Sequence, residues 1–224
     1  MSSSPIITAT GLVRRYHNGE TEFRALDGVS LTIGTDEFVA IKGRSGAGKS
    51  TLLYQLSLLD RPDEGEVLLD GQPTRDLDET ARTRRRLDLL GYVFQEYALV
   101  PELTAIENVA VPSLMRGLSK RAAYALAATA LAEVGLATKH VNLPNQLSGG
   151  EQQRVSIARA IAHAPRIIFA DEPTANLDSG TAGHVMDIFS TLHGRGQTII
   201  MVTHEEDFDA RFNRILRLQD GRLI

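Results

Sequence analysis

One glycine-rich run constrains the local fold more than any other part of the sequence. Residues 43–50 read GRSGAGKS, which matches the pattern G-x-x-x-x-G-K-S in full. The apolar run 38–41 leads into this segment, and leucines at helical spacing follow it from Leu52. Glycines let backbone N–H groups of such a turn point inward, and the lysine adds positive charge, so the loop can surround phosphate oxygens. The pattern predicts a strand, a phosphate-binding loop and a helix in succession.

Other short apolar runs alternate with helical patterns. We predict buried parallel strands at 167–170 and 198–202, with a helix over 179–194 between them. Strands that alternate with helices predict an α/β fold with a parallel core. Residues 6–42 are predicted to be rich in β-strands, and residues 76–165 to be mainly helical. The helical block lies between the nucleotide motifs, which favours an inserted helical subdomain.

Composition limits the possible functions. The formal net charge of −4 gives no bulk support for nucleic-acid binding, so we expect no nucleic-acid partner. The absence of cysteine excludes disulfides and thiol catalysis. No apolar stretch approaches the ~18–20 residues needed to cross a bilayer, and the N-terminus lacks the regions of a signal peptide. If the protein works at a membrane, we expect another chain to span it.

Two carboxylates, Asp171 and Glu172, end the apolar run 167–170. At the carboxyl end of a parallel strand they would face a ligand crevice. Asp171 could hold Mg²⁺ directly or through water, and Glu172 could polarise an attacking water as a general base. The alternative is a pair of surface carboxylates in a loop. Four apolar residues directly before the pair make that alternative the weaker one.

A second glycine pair lies in the run 147–154, LSGGEQQR. Ser148 is followed by Gly149 and Gly150 and opens a predicted helix over 151–163. Adjacent glycines allow close approach of backbone N–H groups, and a hydroxyl at a helix N-terminus favours anions. The chain therefore has a second candidate phosphate site. A nucleotide gripped from two sides would suggest that two copies of the chain cooperate.

Together, GRSGAGKS, LSGGEQQR and IIFADEPTANLD resemble the nucleotide-binding subunit of ABC transporters, and the resemblance covers about 6–224. It implies an α/β fold: a P-loop NTPase core with an N-terminal antiparallel β subdomain and an inserted α-helical signature subdomain. We expect a single domain over 1–224, in which about 1–94 and 164–224 form the core with the β subdomain. Residues of about 95–163 form the helical subdomain.

The resemblance also implies a head-to-tail homodimer in which the phosphate-binding loop (P-loop) of one chain faces the signature run of the other. Tyr16 matches the aromatic residue that stacks on adenine, although a strand-edge tyrosine is the alternative. Gln95 follows an apolar strand and precedes the helical block, and it matches the glutamine that senses Mg²⁺ and the γ-phosphate. His204 matches the switch histidine. Asp178 belongs to the D-loop, residues 176–178, which crosses the dimer seam.

These assignments give three overlapping sets of site residues. The catalytic set is Lys49, Gln95, Glu172 and His204, and the metal set is Ser50, Gln95 and Asp171. The nucleotide-contacting positions are Tyr16, Gly43, Arg44, Ser45, Gly46, Ala47, Gly48, Lys49, Ser50, Thr51, Ser148, Gly149, Gly150 and Asp178. The expected cofactors are ATP and Mg²⁺.

A narrower resemblance is to the MacB/LolD/FtsE branch, and it is carried by the segments 17–26, 58–62 and 94–109. It implies FtsX/MacB-like transmembrane permease partners and a peripheral location on the cytoplasmic face of the inner membrane. The expected function is ATP hydrolysis that powers export or mechanotransmission. Two alternatives stay open: an FtsE-like signalling ATPase without cargo, and a DNA-acting ABC ATPase. The second usually carries a long coiled coil, and residues 51–165 show no sustained heptads.

Two surface candidates complete the predictions. Arg82, Arg84, Arg85 and Arg86 form a basic cluster, which would be either a solvated helix face or a contact for acidic partner loops or anionic lipid. Residues 96–115 combine apolar side chains with few charges. They would form either a groove for the membrane partner or part of the subdomain core.

Overall fold

A computed structural model describes residues 5–19 and 21–224, and the chain divides into two compact units. The first unit combines residues up to 84 with residues 195–224, and the second unit contains residues 85–194. The subdomain boundaries expected from the sequence stay a prediction. Within the described residues, no helix combines the length and the apolarity that crossing a bilayer requires.

Strands and helices alternate through most of the chain. In chain order they are β1 (Ile7–Asn18), β2 (Thr21–Ile33), β3 (Phe38–Lys42), α1 (Lys49–Leu56), β4 (Glu64–Leu69), β5 (Gln72–Pro73), α2 (Glu79–Leu89), β6 (Leu90–Val93), α3 (Ala105–Met115), α4 (Lys120–Glu133), α5 (Gly149–Ile161), β7 (Ile167–Asp171), α6 (Ser179–Gly194), β8 (Thr198–Val202), β9 (Arg214–Gln219) and β10 (Arg222–Leu223). The fold is α/β, as predicted.

The first unit contains an antiparallel sheet in the order β2-β1-β4-β5, which confirms the predicted β subdomain. Ile7 lies opposite Ile33 on one side and Leu69 on the other, and all three side chains are buried. Near the tip of the β1–β2 hairpin, Tyr16 lies opposite Phe23. Strand β2 begins at Thr21, and Glu20 lies outside the described residues.

The first unit also contains four strands in the order β10-β9-β3-β8, with β3 parallel to both β8 and β9. Every residue of β3 and β8 is buried. Strands that are apolar on both faces suit a parallel arrangement covered by helices, and α1 contacts β8. Because the P-loop leaves the carboxyl end of β3 and His204 follows the carboxyl end of β8, the sheet orients both segments toward one edge.

The second unit is mainly helical, as predicted. Helices α3, α4 and α5 pack against one another, α5 also contacts β6 and α6, and β6 pairs in parallel with β7. The buried strand β7 confirms the predicted run 167–170. Strand β6 lies inside the segment predicted as mainly helical. It has only four residues and includes Gly91, so its own composition indicates a strand weakly.

Candidate functional site

The P-loop of the first unit connects β3 to α1, as the sequence predicts. Gly48 has a φ of +97°, and a Cβ at this position would lie 2.2 Å from the carbonyl oxygen of Ala25 in β2. The glycine is therefore required both by its backbone conformation and by the close approach of β2. No side chain caps the N-terminus of α1, and its first turn contains no acidic residue. The positive end of this helix is suited to an anion.

Lys49 places its positive charge inside the same loop. Its side chain is buried, and its ammonium donates to the carbonyl oxygens of Gly43 and Arg44, each at 3.1 Å. The backbone N–H of Ala47 also donates to the Arg44 carbonyl at 3.1 Å. A buried ammonium beside an uncapped helix start has the donors and the charge that fit the phosphates of a nucleotide.

Tyr16 is 42% exposed near the tip of the β1–β2 hairpin, and its neighbours hold it in place. Its hydroxyl donates to the Asp60 carboxylate at 3.4 Å, and the Arg14 guanidinium lies 4.8 Å from the ring centroid. Arg14 in turn pairs with Asp60 at 2.8 Å and with Asp63 at 3.0 Å. An exposed ring fixed by a cation and a carboxylate is suited to stacking on a flat base. Its neighbour Phe23 is exposed as well.

His204 is exposed directly after the buried residue Thr203 at the end of β8. The Thr203 hydroxyl accepts a hydrogen bond from the backbone N–H of Glu205 at 3.1 Å. The first unit therefore carries the P-loop, Tyr16 and His204. Thr51, in the first turn of α1, also lies in the first unit, and the remaining predicted site residues belong to the second unit.

In the second unit, Asp171 is the last residue of β7 and only 5% exposed, whereas Glu172 is partly exposed. The burial of Asp171 contradicts the alternative of two surface carboxylates. Glu172 has a φ of +43°, which is uncommon for a residue with a side chain, and its carbonyl accepts from the Ala175 N–H at 3.2 Å. Left-handed backbone at such a point is typical of functional turns.

Ser148 is the N-cap of α5, and the first turn of that helix closes a capping box. The hydroxyl of Ser148 accepts from the N–H of Glu151 at 3.3 Å, and the Glu151 carboxylate accepts from the N–H of Ser148 at 2.9 Å. Lys139 also binds Glu151 at 3.0 Å. The Ser148 hydrogen bond, followed by Lys139, lowers the pKa of Glu151. Ser148 is exposed, and a hydroxyl that accepts a hydrogen bond still has its own hydrogen to donate.

Gly150 has a packing requirement that the sequence does not reveal. A Cβ at this position would lie 2.3 Å from Cγ2 of Thr181, in the first turn of α6. From the sequence, the glycine pair was interpreted as allowing a ligand to approach the backbone. In the structure, Gly150 is also what allows α5 to lie close to α6.

The D-loop residue Asp178 caps α6. Its carboxylate accepts from the backbone N–H of Thr181 at 3.0 Å and from the Thr181 hydroxyl at 2.6 Å. These two hydrogen bonds lower the pKa of Asp178. Asp178 therefore has a local structural role, and its contact with nucleotide stays a prediction.

Gln95 begins an exposed loop, which is held by Asn176 of the D-loop and by Arg159 of α5. Asn176 donates to the carbonyl oxygen of Gln95 at 3.3 Å. Tyr97 and Ala98 both have positive φ, and Arg159 of α5 donates to their carbonyl oxygens at 2.9 and 2.5 Å. Burial lowers the pKa of Arg159. Sequence reasoning missed Arg159, because an arginine in an amphipathic helix is usually solvated.

Asn108 shapes the rest of the segment 96–115. It is fully buried, its side-chain oxygen accepts from the N–H of Val100 at 2.7 Å, and its amide donates to the carbonyl of Leu103 at 2.9 Å. Val100 is exposed in the loop, whereas Val109 of α3 is buried, so the core alternative holds for part of the segment. Leu114 and Met115 at the end of α3 are exposed as well, and a groove for a membrane partner stays a prediction.

The predicted basic cluster is wrong for Arg82, which is 3% exposed. Its guanidinium donates to the carbonyl oxygens of Leu58 and Asp60 at 3.0 and 2.8 Å. An arginine whose donors are used by buried carbonyls cannot bind a partner or a lipid at the same time. Arg84 is exposed and retains the two alternatives.

Comparison with known proteins identifies the family. Residues 26–175 match the family model described as ABC transporter. The macrolide export ATP-binding/permease protein MacB of Hyphomonas neptunium is 44% identical over 220 residues, which cover 98% of this chain and 34% of the relative. The lipoprotein-releasing system ATP-binding protein LolD of Cereibacter sphaeroides is 44% identical over 223 residues, covering 99% and 100%. The chain thus spans about a third of the length of the MacB relative.

A solved structure of the same kind is the dimeric, post-hydrolysis state of the ATP-binding cassette MJ0796 bound to ADP and Pi. It superposes with a TM-score of 0.91 at 41% identity, covering 97% of this chain and 96% of that one. The predicted fold class and family are confirmed. The chain belongs to the ABC transporter family, in its MacB/LolD-like branch, and is an ATPase.

Proposed function

We propose that two copies of this chain bind ATP and Mg²⁺ between them and that hydrolysis powers a membrane-embedded complex. The observation that carries the proposal is Ser148, which lies exposed at the start of α5 in a different unit from the P-loop. The similarity to a cassette solved as a dimer supports a head-to-tail arrangement. In it, the P-loop of one copy faces Ser148 and Gly150 of the other.

Within each site, the residues of this chain divide the work. Lys49 neutralises the β- and γ-phosphates, and Tyr16 stacks on adenine. Ser50, Gln95 and Asp171 would hold the metal ion, which would neutralise phosphate charge when it is bound. A hydroxyl, an amide oxygen and a buried carboxylate are the oxygen donors that Mg²⁺ prefers.

Two further residues act on the reacting atoms. Glu172 orients the attacking water and accepts its proton. His204 stabilises the charge that develops on the γ-phosphate, and Asp178 of the partner copy completes the seam. The exposure of His204 and Asp178, the partial exposure of Glu172 and the left-handed backbone at Glu172 support the assignment.

We place the chain at the cytoplasmic face of the inner membrane, bound to FtsX/MacB-like permease subunits. The MacB relative is described as an ATP-binding/permease protein, and it is about three times as long as the matched region. The LolD relative, matched over its full length, is described as the ATP-binding protein of a lipoprotein-releasing system.

We assign residues of about 95–163 as the helical subdomain that transmits motion to the permease. Affinity purification from detergent-solubilised membranes should recover a membrane protein, and reconstitution should then test for moved cargo.

The deciding experiment replaces Glu172 with glutamine. Loss of the base should reduce steady-state phosphate release by about 10²–10⁴-fold, because that is what positioned general bases contribute. ATP binding should persist and a stable dimer should accumulate in ATP, as measured by light scattering after gel filtration. Glu102→Gln, in an exposed loop of the same unit, is the control and should keep its turnover. Normal turnover of Glu172→Gln would exclude Glu172 as the base.

A further inference from the structure

An ion pair between a buried lysine and a partly exposed aspartate of the first unit lies directly beside the P-loop. Lys42 is the last residue of β3, and its side chain is 6% exposed. Its ammonium contacts the carboxylate of Asp209 and donates to the carbonyl oxygen of Glu205 at 2.5 Å. A buried ammonium is costly without partners, so Lys42 will keep both acceptors. Neither Lys42 nor Asp209 belongs to the nucleotide site described above.

The last two residues of β3, Ile41 and Lys42, bind the two neighbours of His204 in the chain. The N–H of Thr203 donates to the carbonyl of Ile41 at 3.4 Å, and Lys42 binds the carbonyl of Glu205. The N–H of Glu205 is also held, by the Thr203 hydroxyl. The backbone on either side of His204 is therefore fixed to the strand that leads into Gly43.

The strand is a rigid reference for this segment. All residues of β3 are buried, and β3 is paired on both sides, with β8 and with β9. The segment that follows β8 has no strand partner and forms only a short 3₁₀ turn at Asp209–Arg211. Near the P-loop, its position therefore depends on the hydrogen bond of Thr203 to Ile41 and on the contacts of the buried Lys42 side chain. Farther along the segment, Phe212 packs on Phe38.

We propose that Lys42 and Asp209 are positioning residues, which hold His204 in register with the P-loop so that its side chain meets the γ-phosphate. The inference rests on the proposed role of His204. Asp209 compensates the charge of Lys42, and Lys42 supplies the hydrogen bond to Glu205. A role in stability alone does not require this chemistry, because an apolar residue of similar volume can often fill the buried space of a charged side chain without loss of stability.

The test compares Lys42→Met/Asp209→Leu with the native protein, using kcat, KM, ATP affinity and thermal melting. The apolar pair removes the hydrogen bond to Glu205 while it avoids an unpaired buried charge. We expect the melting temperature and ATP affinity to stay close to native and kcat to fall at least tenfold. The neutral pair Lys42→Gln/Asp209→Asn, which keeps a donor at position 42, should recover most of that loss. A native kcat in a folded Met/Leu variant would overturn the proposal.

The matched control is Arg214→Met, at the opposite end of the same sheet. Arg214 also joins a carboxylate, that of Glu37 at 3.0 Å, and a backbone carbonyl, that of Thr32 at 2.5 Å. Its loss should leave kcat within about twofold of native, because the contacts lie far along β3 and β9 from the P-loop. An equal loss of kcat in this control would mean that Lys42 acts only through the general stability of the sheet, and would overturn the proposal.

His204→Ala separates this proposal from the proposed function. If His204→Ala retains kcat, the role of His204 itself is wrong. If His204→Ala lowers kcat and the Met/Leu pair does not, only the positioning role is wrong. In the His204→Ala background, the Met/Leu pair should cause no further loss of kcat, because it acts through His204.

A spectroscopic measurement covers the case in which the Met/Leu pair does not fold. Asp209→Asn keeps the shape of the side chain and removes the charge that anchors Lys42. The ring resonances of His204, assigned by their loss in His204→Gln, should shift or broaden in Asp209→Asn. Unchanged His204 resonances would overturn the proposal.

Discussion

At the scale of single residues, Gly150 has a requirement of its own, apart from any bound nucleotide. The Thr181 side chain that would meet a Cβ at this position is β-branched, and its hydroxyl is bound to Asp178. Thr181 therefore cannot rotate away without losing a helix-capping hydrogen bond. A substitution of Gly150 that lowers ATPase activity could therefore act by destabilising the fold or by weakening nucleotide binding. A second substitution that restores stability is needed to separate these two effects.

We predict that Gly150→Ala lowers the free energy of unfolding by about 1–3 kcal/mol, because it overpacks the α5–α6 contact. Adding Thr181→Ser removes the clashing methyl group and keeps the hydroxyl on Asp178. The double variant should therefore return to native stability in urea unfolding. ATPase activity that stays low in the stable double variant would assign a nucleotide role to Gly150. A single variant as stable as the native protein would contradict the packing argument.

Residues such as Lys49, Ser148 and Asp171 could be found from the sequence because the chemistry of a phosphate site demands their types and spacing. Arg82, Asn108 and Arg159 could not, since polar residues on helices are usually solvated. Their roles depend on backbone carbonyls of segments at a distance in the sequence. No local pattern marks such a pairing, and only the fold brings it together.

At the scale of elements, α5 depends on its first turn. Ser148 and Glu151 close the capping box, and Lys139 binds the same glutamate. Because the folded state lowers the pKa of Glu151, its ionised form stabilises the fold. That contribution is complete above the pKa of the unfolded chain and is lost as pH falls through the lowered pKa of the folded protein.

We predict that Glu151→Gln lowers the free energy of unfolding by about 0.5 kcal/mol at neutral pH, a value typical of a charge at a solvated helix start. The difference between native and variant should shrink as the pH falls through the lowered pKa of Glu151, because protonation removes the same charge. Urea unfolding at a series of acidic pH values measures this difference in the free energy of unfolding, with Glu102→Gln as the control. A difference independent of pH would show that the charge of Glu151 contributes nothing.

Strands β3, β7 and β8 could be predicted because each is a continuous apolar run, as buried parallel strands require. Strand β9 lacks such a run, because Arg214 and Arg217 interrupt its apolar residues. The apolar strand expected before Gln95 is β6, although its four residues give only a weak signal of their own. Both form because a neighbouring strand supplies a ladder of hydrogen bonds, which is a property of the assembled sheet.

At the scale of the whole molecule, the two motif sets lie in different units of one chain, and we propose that each site combines them from two copies. Ser148→Asp tests this arrangement, since aspartate also caps a helix well but repels phosphate. Lys49→Ala removes the charge of the P-loop. Each variant alone lacks a complete site.

We predict that mixing Lys49→Ala with Ser148→Asp restores ATPase activity that neither variant has alone. Half of the randomly formed dimers are mixed, and each of these has one complete site of two, so recovery approaches about a quarter of the native rate. The control mixture is Lys49→Ala with the double variant Lys49→Ala/Ser148→Asp, which contains no complete site. Absence of recovery in a mixture that forms dimers would contradict a shared site.

The contacts of Asp60 have a consequence for exchanging parts between relatives. Its carboxylate holds Tyr16 and Arg14, while its backbone carbonyl accepts from the buried Arg82. The segment 58–62 therefore connects the β1–β2 hairpin to α2 through side-chain contacts. Its conformation helps to fix the position of the Tyr16 ring. A chimera that receives this segment alone from a relative would lack the side chains at positions 14 and 82 that the segment contacts. Positions 14, 60 and 82 form one module, and they should be transferred together.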